Sequence, residues 1–360
     1  MRASLDPTLA AWLEAAAPGL DDGSADARDV LQRLGAAGLF ALGVPRQQGG
    51  AGGTVVDAIE AIAAVSAYSM AAGFQFWSQR TFIEYLLQSP NAALREQLLP
   101  GLLAGRIAGA TGLSNAMKFL SGLEELQVTA RPEGATWRVD GQLPWVTNLI
   151  PAQFHVAVAV AIPGGTPFIA ALRHDLPGLL RSPDLQLMGM RATATAAIAL
   201  RDAPVEPAAV LHADALRWLP QVRPAFLGLQ CGMAIGLARR ALAEAAAQAG
   251  PARAVLRPAR EQLAERLAAE ERALREGLAQ GRFLGEPAAL FRIRIALADI
   301  VAEATLLELQ ASGGRAYLRP QGDGFARRWR EAAFVPVITP SLTQLKAALA
   351  AAEGCAGRAA

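Results

Sequence analysis

The histidines and cysteines that could move protons near neutrality or hold a metal are few and scattered. His155, His174 and His212 are the only histidines. Imidazoles titrate near neutrality and can carry protons, but scattered histidines are more often surface or packing residues, so none is assigned a role. Cys231 and Cys355 are the only cysteines. They lie far apart, without the spacing of a disulfide scaffold or a zinc site, so no metal is expected and a reducing compartment fits. Lysine occurs only at Lys118 and Lys346, so nearly all positive charge is arginine. The planar guanidinium fork suits phosphate or carboxylate, although compositional bias is the plainest explanation of its abundance.

A chain of 360 residues, 52% hydrophobic and 18% charged, must place these groups. That balance predicts a globular protein with much buried surface, organised as two or three packed units. The 34 basic and 32 acidic residues give a net charge of +2 and are spread along the chain. Without a dense basic block, nucleic acid is not an expected partner. Met1 to Leu20 lacks the basic-then-apolar pattern of a signal peptide. The most apolar segment, Ala225 to Ala238, is too short to span a bilayer and contains Gln230. No membrane association is expected, and the cytoplasm is the expected location.

From Asp6 to about Gly105 the pattern is helical, punctuated at Pro18, Gly38, Gly49 to Gly53 and Pro90. Asp57 to Leu87 and Asn91 to Leu103 carry apolar residues at helical spacing. Strand-like alternation then appears in Leu126 to Ala130, Thr136 to Val139, Phe154 to Ala161, Phe168 to Leu172 and Ala196 to Leu200. Long helical stretches return at Leu216 to Ala249, Pro258 to Gln280, Pro287 to Gln310 and Ser341 to Ala352. The expected fold class is α+β. It comprises a helical N-terminal domain (1–107), a small antiparallel β-barrel or sheet domain (108–212) and a C-terminal antiparallel four-helix bundle (213–360).

This order, and several local stretches, resemble the acyl-CoA dehydrogenase family over roughly Leu39 to Leu345. Leu39 to Pro45 followed by Gly49-Gly50 is similar to that family's glycine-punctuated loop. Trp145-Val146-Thr147-Asn148, just after Asp140-Gly141, resembles the tryptophan-x-threonine-asparagine segment lying against the flavin ring. An indole can cover one face of an isoalloxazine while a threonine hydroxyl or amide bonds its nitrogen edge. Gly189-Met190-Arg191-Ala192-Thr193-Ala194-Thr195 is similar to the glycine-x-arginine-x-serine/threonine-x-threonine strand, and Asp202 to Pro207 to its acidic-x-proline exit. Thr111 falls where the family places a threonine on the pyrimidine edge of the flavin. In the next loop, Gly112-Leu113-Ser114-Asn115 replaces the usual glutamate-proline-glycine-alanine-glycine-serine run, and Ser121 could stand in for the serine whose amide holds the pyrophosphate.

Gln310-Ala311-Ser312-Gly313-Gly314-Arg315-Ala316-Tyr317 resembles the glutamine-x-x-glycine-glycine-x-glycine-tyrosine segment. There Gln310, Gly313 and Gly314 would reach the dinucleotide of a flavin held mainly by another subunit. The resemblance thus implies FAD and a homodimer or homotetramer; Gly313 also reads as a helix C-cap. A further signature, arginine-lysine-x-phenylalanine-glycine, is expected near Gly250 to Gln262. Pro251 to Arg257 stands there without the phenylalanine, leaving Arg253 or Arg257 to meet a pyrophosphate.

The family removes an α-proton with a glutamate while a β-hydride leaves for the flavin. Arg330-Glu331-Ala332 resembles the arginine-aspartate-alanine motif before that glutamate, which puts Thr339 at the expected base position. A hydroxyl lacking its own activating partner stays protonated near neutral pH. No Asp or Glu occurs between Ala332 and Ala352. The alternative position, just before Leu227, holds Phe226. No catalytic base is therefore assigned. Three readings stay open: hydride transfer between an acyl-CoA or acyl-carrier thioester and FAD without the usual glutamate, a flavin monooxygenase or oxidase, and a non-catalytic binding subunit.

Overall fold

The computed structural model describes residues 5–248 and 250–359, with side chains described through 352 except at 252. Residues 1–4, Ala249 and the Cys355 thiol, on which expectations above fell, lie outside the described part.

Five helices come first: α1 (Pro7–Asp22), α2 (Ala27–Ala36), α3 (Val55–Ser66), α4 (Met70–Leu87) and α5 (Ala92–Leu103). Their starts follow from capping chemistry. Asp6 accepts from the Thr8 and Leu9 amides, and Thr54 with Asp57 forms a reciprocal capping box. The single apolar run Asp57 to Leu87 is in fact two helices, because Ser69 caps a new one by accepting from the Ala72 amide. All residues of α4 except Glu84 and Leu87 are buried. A helix enclosed on every side forms the core of its unit, so its internal Gln75, Ser78, Gln79 and Arg80 must find partners.

The middle of the chain runs β1 (Ala108–Thr111), α6 (Ser114–Leu120), β2 (Val128–Glu133), β3 (Thr136–Val146), β4 (Phe154–Val160), β5 (Phe168–Arg173), β6 (Leu179–Arg181), β7 (Ala196–Val205) and β8 (Val210–His212). Two four-stranded sheets result, ordered β1-β4-β5-β8 and β2-β3-β7-β6. Every pairing is antiparallel except β1 with β4. The sheets join where Ala130 donates to the Ala161 carbonyl and Ala161 to that of Val128. The short α6 occupies a stretch read above as a loop.

Helices then return as α7 (Ala215–Ala247), α8 (Arg257–Ala279), α9 (Arg282–Gly285), α10 (Pro287–Ser312), α11 (Asp323–Phe334) and α12 (Leu342–Ala359). The α7 helix packs against α8, α10 and, across the interface with the first helices, α3. Glycine permits that last contact. A Cβ at Gly232 would lie 2.7 Å from the Ile59 carbonyl oxygen, and one at Gly236 2.2 Å from that of Ala63. The order of helices, small sheets and helices is the α+β architecture expected. No helix among the described residues is long and apolar enough to cross a membrane, and no described cluster of His, Cys, Asp or Glu could hold a metal.

Candidate functional site

A cavity of about 440 Å³ opens where the first helices, the sheets and the C-terminal helices meet. This volume is within the ~300–1,000 Å³ range of small-molecule and cofactor sites. Phe74 and Trp77 of α4 form its apolar wall, with rings stacked at 5.4 Å, and Leu143, Phe334 and Ile338 extend it. Thr111 at the end of β1, and Trp145 and Thr147 around the end of β3, line the same cavity. The Trp145 indole is 58% exposed, so it borders open space instead of a dry core. Val146 is buried behind it.

The α4 helix positions these groups through its buried polar face. Ser78 Oγ lies 3.2 Å from the carbonyls of both Gly109 and Thr147, which share its single hydrogen. Gln79 Nε2 donates to the Leu102 and Ile107 carbonyls at 2.9 and 2.8 Å, while its Oε1 accepts from the Gly109 amide at 2.6 Å. Asn148 Nδ2 donates to Gln79 Oε1 and to the Gly109 carbonyl, both at 3.0 Å. The turn carrying Thr147 and the strand carrying Thr111 are thus bolted to one helix. Tyr85, one turn and a half further along α4, shares a 2.8 Å hydrogen bond with Thr111 Oγ1. Burial pushes the Tyr85 phenol well above its usual range, so it stays protonated.

The opposite wall comes from the turn Val335 to Thr339. Arg294, fully buried in α10, donates from Nη2 to the Val335 carbonyl at 2.8 Å and from Nε to Gln230 Oε1 at 3.3 Å. Gln230 Nε2 in turn donates to the Thr339 carbonyl at 2.8 Å. Thr339 lines the cavity. Phe226 does not; it sits behind Trp77, whose indole N–H donates to its carbonyl at 3.3 Å.

No Asp or Glu is among the described residues lining the cavity, and its two cations are already engaged. Lys118 pairs with Glu124 at 2.7 Å. Arg330 pairs with Asp21 at the end of α1, whose other oxygen accepts from the Met190 amide at 2.9 Å. Glu331 points elsewhere: one oxygen accepts from Arg327 and the Met70 amide, and burial raises its acid pKa.

The remaining predicted residues lie apart. Ser121 caps the end of α6, with its hydroxyl donating to the Met117 carbonyl at 3.2 Å, and faces a separate minor pocket. Gln310, Gly313 and Gly314 sit at the end of α10, outside the cavity. Gly313 ends that helix at φ +59°. Arg253 packs there, donating to the Ser312 carbonyl at 3.4 Å, so two separately read signatures share one surface. His155 is partly buried on β4, and burial lowers its pKa to about 4. The sequence reading missed Gln75, Ser78, Gln79 and Tyr85. The signal for Gln75, Ser78 and Gln79 is polar groups at i, i+3 and i+4 in a mostly apolar helix; Tyr85 has no such signal.

A family model described as "Acyl-CoA dehydrogenase, N-terminal domain" matches residues 2–106. The isovaleryl-CoA dehydrogenase of Pongo abelii is 27% identical over 192 residues, covering 51% of this chain and 45% of that protein. The chain spans about half the length of the first curated relatives it matches. The structure of butyryl-CoA dehydrogenase from Megasphaera elsdenii superposes with a TM-score of 0.81 at 17% identity, covering 98% of this chain and 99% of that one. KijD3, solved in complex with FMN and a dTDP-linked amino sugar, superposes with a TM-score of 0.80 at 19% identity, covering 96% of this chain and 91% of that one. Residues 2–106 thus match the N-terminal domain of acyl-CoA dehydrogenases, and the chain as a whole is similar to acyl-CoA dehydrogenases in sequence and shares their fold.

Proposed function

We propose that this protein is a flavin-dependent oxidoreductase whose cavity receives an isoalloxazine ring and, beside it, an acyl thioester. The observation that carries this reading is the grouping of Thr111, Trp145 and Thr147 on one cavity that Phe74, Trp77, Leu143, Phe334 and Ile338 also line. The donor set fits the ring: a half-exposed indole to lie on a flat face, and two threonine hydroxyls with the Val146–Thr147 backbone for its polar edge. Gln310, Gly313 and Gly314, with Arg253 beside them, would meet the adenosine half of FAD bound by a second copy, in a homodimer or homotetramer. Ser121 is not retained. The units 1–107, 108–212 and 213–360 then divide the work, the middle one holding the ring between two helical walls.

The bound flavin would supply hydride acceptance or donation. The protein's share is orientation and exclusion of water. Trp145 and Thr147 fix one side, while the clamp of Arg294 and Gln230 holds Ile338 and Thr339 across from it. Among the described residues these walls carry no carboxylate, so the α-proton that must be lost as the hydride leaves a thioester would pass to water at the mouth. The same bare wall favours a second reading, an oxygen-using flavin monooxygenase or oxidase, which needs no such base.

Anaerobic addition of an acyl-CoA panel to the flavin-loaded protein separates the two. Bleaching of the flavin absorbance by a thioester supports the first reading. Bleaching only by reduced nicotinamide or a reductase supports the second, and a protein that takes up no flavin refutes both.

A further inference from the structure

Behind Thr147 runs a chain of three buried hydroxyls whose direction is forced. Thr193 Oγ1 lies 2.9 Å from the Met190 carbonyl oxygen, which can only accept. The single Thr193 hydroxyl hydrogen is spent there. The 2.8 Å contact between Thr195 and Thr193 must then use the hydrogen of Thr195. The 2.9 Å contact between Thr147 and Thr195 must in turn use the hydrogen of Thr147. Thr147 and Thr195 both line the cavity, so each shows it lone pairs and no O–H. Thr111 differs: its bond to the Tyr85 hydroxyl has no fixed end and can run either way.

The backbone around the chain is held in costly conformations. Asn148, Met190 and Ala194 all have left-handed φ values, +66°, +53° and +47°, which non-glycine residues adopt rarely and which gather at functional sites. Asn148 and Leu149 donate to the Thr193 and Ala194 carbonyls, each at 3.0 Å. Asp21 secures the Met190 amide. The anchor carbonyl and the three hydroxyls are therefore fixed relative to one another.

We propose that the Met190–Thr193–Thr195–Thr147 chain makes the threonine hydroxyls at this edge of the cavity hydrogen-bond acceptors only, which favours the reduced, N–H-bearing form of a bound flavin over the oxidised form. This rests on the flavin reading above. Two-electron reduction of an isoalloxazine places a proton on a ring nitrogen that was only an acceptor. An acceptor-only hydroxyl gains a partner on reduction and faces another lone pair before it. Thr193, which does not line the cavity, is the positioning residue, because its bond to Met190 sets the direction of the whole chain.

The test is the midpoint potential of the bound flavin in the wild type, Thr193→Val, Thr193→Ser and Thr195→Val, measured by dye equilibration at matched flavin occupancy. In Thr193→Val the Thr195 hydrogen is released to turn toward Thr147, whose own hydrogen can then face the cavity. Thr195→Val frees the Thr147 hydrogen directly. Both should lose about tenfold in preference for the reduced form, a fall of about 30 mV for a two-electron couple, while Thr193→Ser keeps the wild-type value. If Thr193→Val does not fold, Thr195→Val against wild type carries the same comparison. Unchanged or raised potentials in loaded valine variants would overturn the proposal and leave the flavin reading standing. Wild-type protein that binds no flavin would overturn both.

Discussion

Replacing Gln79 by leucine tests whether α4 is the part that positions the site. The substitution keeps the volume and removes four hydrogen bonds, but not all four partners suffer. The Leu102 carbonyl still receives the Gly105 amide at 3.1 Å, and Asn148 Nδ2 still reaches the Gly109 carbonyl at 3.0 Å. The Ile107 carbonyl and the Gly109 amide have Gln79 as their side-chain partner and are left bare inside the protein. Each buried polar group so orphaned costs about 1–3 kcal/mol, which puts Gln79→Leu at about 4 kcal/mol against a typical total of about 5–15 kcal/mol. Gln75→Leu is the contrast. Gln75 Oε1 has no partner, and its amide makes bonds of 3.1 and 3.4 Å; its loss orphans Asn148 Oδ1 but removes an orphan of its own, so it should cost about 1 kcal/mol. Urea denaturation followed by tryptophan fluorescence measures both, with stability read from midpoints at a common slope. Gln79→Leu should also lower flavin occupancy, because Thr111 and Thr147 hang from the same bonds. Equal midpoints for the two variants would refute the idea that α4 holds the site.

Asp21→Asn should cost about 1.5–3 kcal/mol by the same assay, since it breaks the charge-assisted bond to Arg330 while leaving an acceptor for Met190. His155 should tie stability to pH. Burial lowers its folded pKa from 6.5 to about 4, with the charges of His174 and Arg173 adding to the effect. Between those values the unfolded chain binds a proton that the folded chain refuses, so stability falls as pH drops from about 6.5 to about 4, by at most about 3 kcal/mol. His155→Gln should remove that share, and a difference between wild type and variant that is the same at pH 7 and pH 4.5 would contradict it. Thr339→Glu should place a carboxylate on the bare wall and speed thioester-driven bleaching of the flavin; no bleaching by any thioester in either protein would count against the thioester reading.

Strands and long helices were legible in the sequence because their signals are local and repeated. Phe154 to Ala161 and Ala196 to Leu200 open at β4 and β7, and the long C-terminal stretches fall on α7, α8 and α10. The α6 helix was not legible. Its seven residues lack a side-chain N-cap, and it forms because Ala116 and Met117 bury against other elements, which is a tertiary cause. The Trp145–Thr147 segment and Thr111 could be read from motif chemistry, but their meeting depends on Gln79 and Asn148, residues 69 apart in sequence. The direction of the threonine chain was hidden for a similar reason: Thr147 joins Thr195 across 48 residues, and the chain is oriented only by the Met190 carbonyl.

The most direct test is a titration of flavin-free protein with FAD while tryptophan fluorescence and flavin absorbance are followed together. A flavin ring seated beside Thr147 and Thr111 should bind saturably, with one FAD per chain, and should quench fluorescence that is absent in Trp145→Phe. Protein that leaves the FAD spectrum unchanged, or quenching that persists undiminished in Trp145→Phe, would contradict the assignment of this cavity.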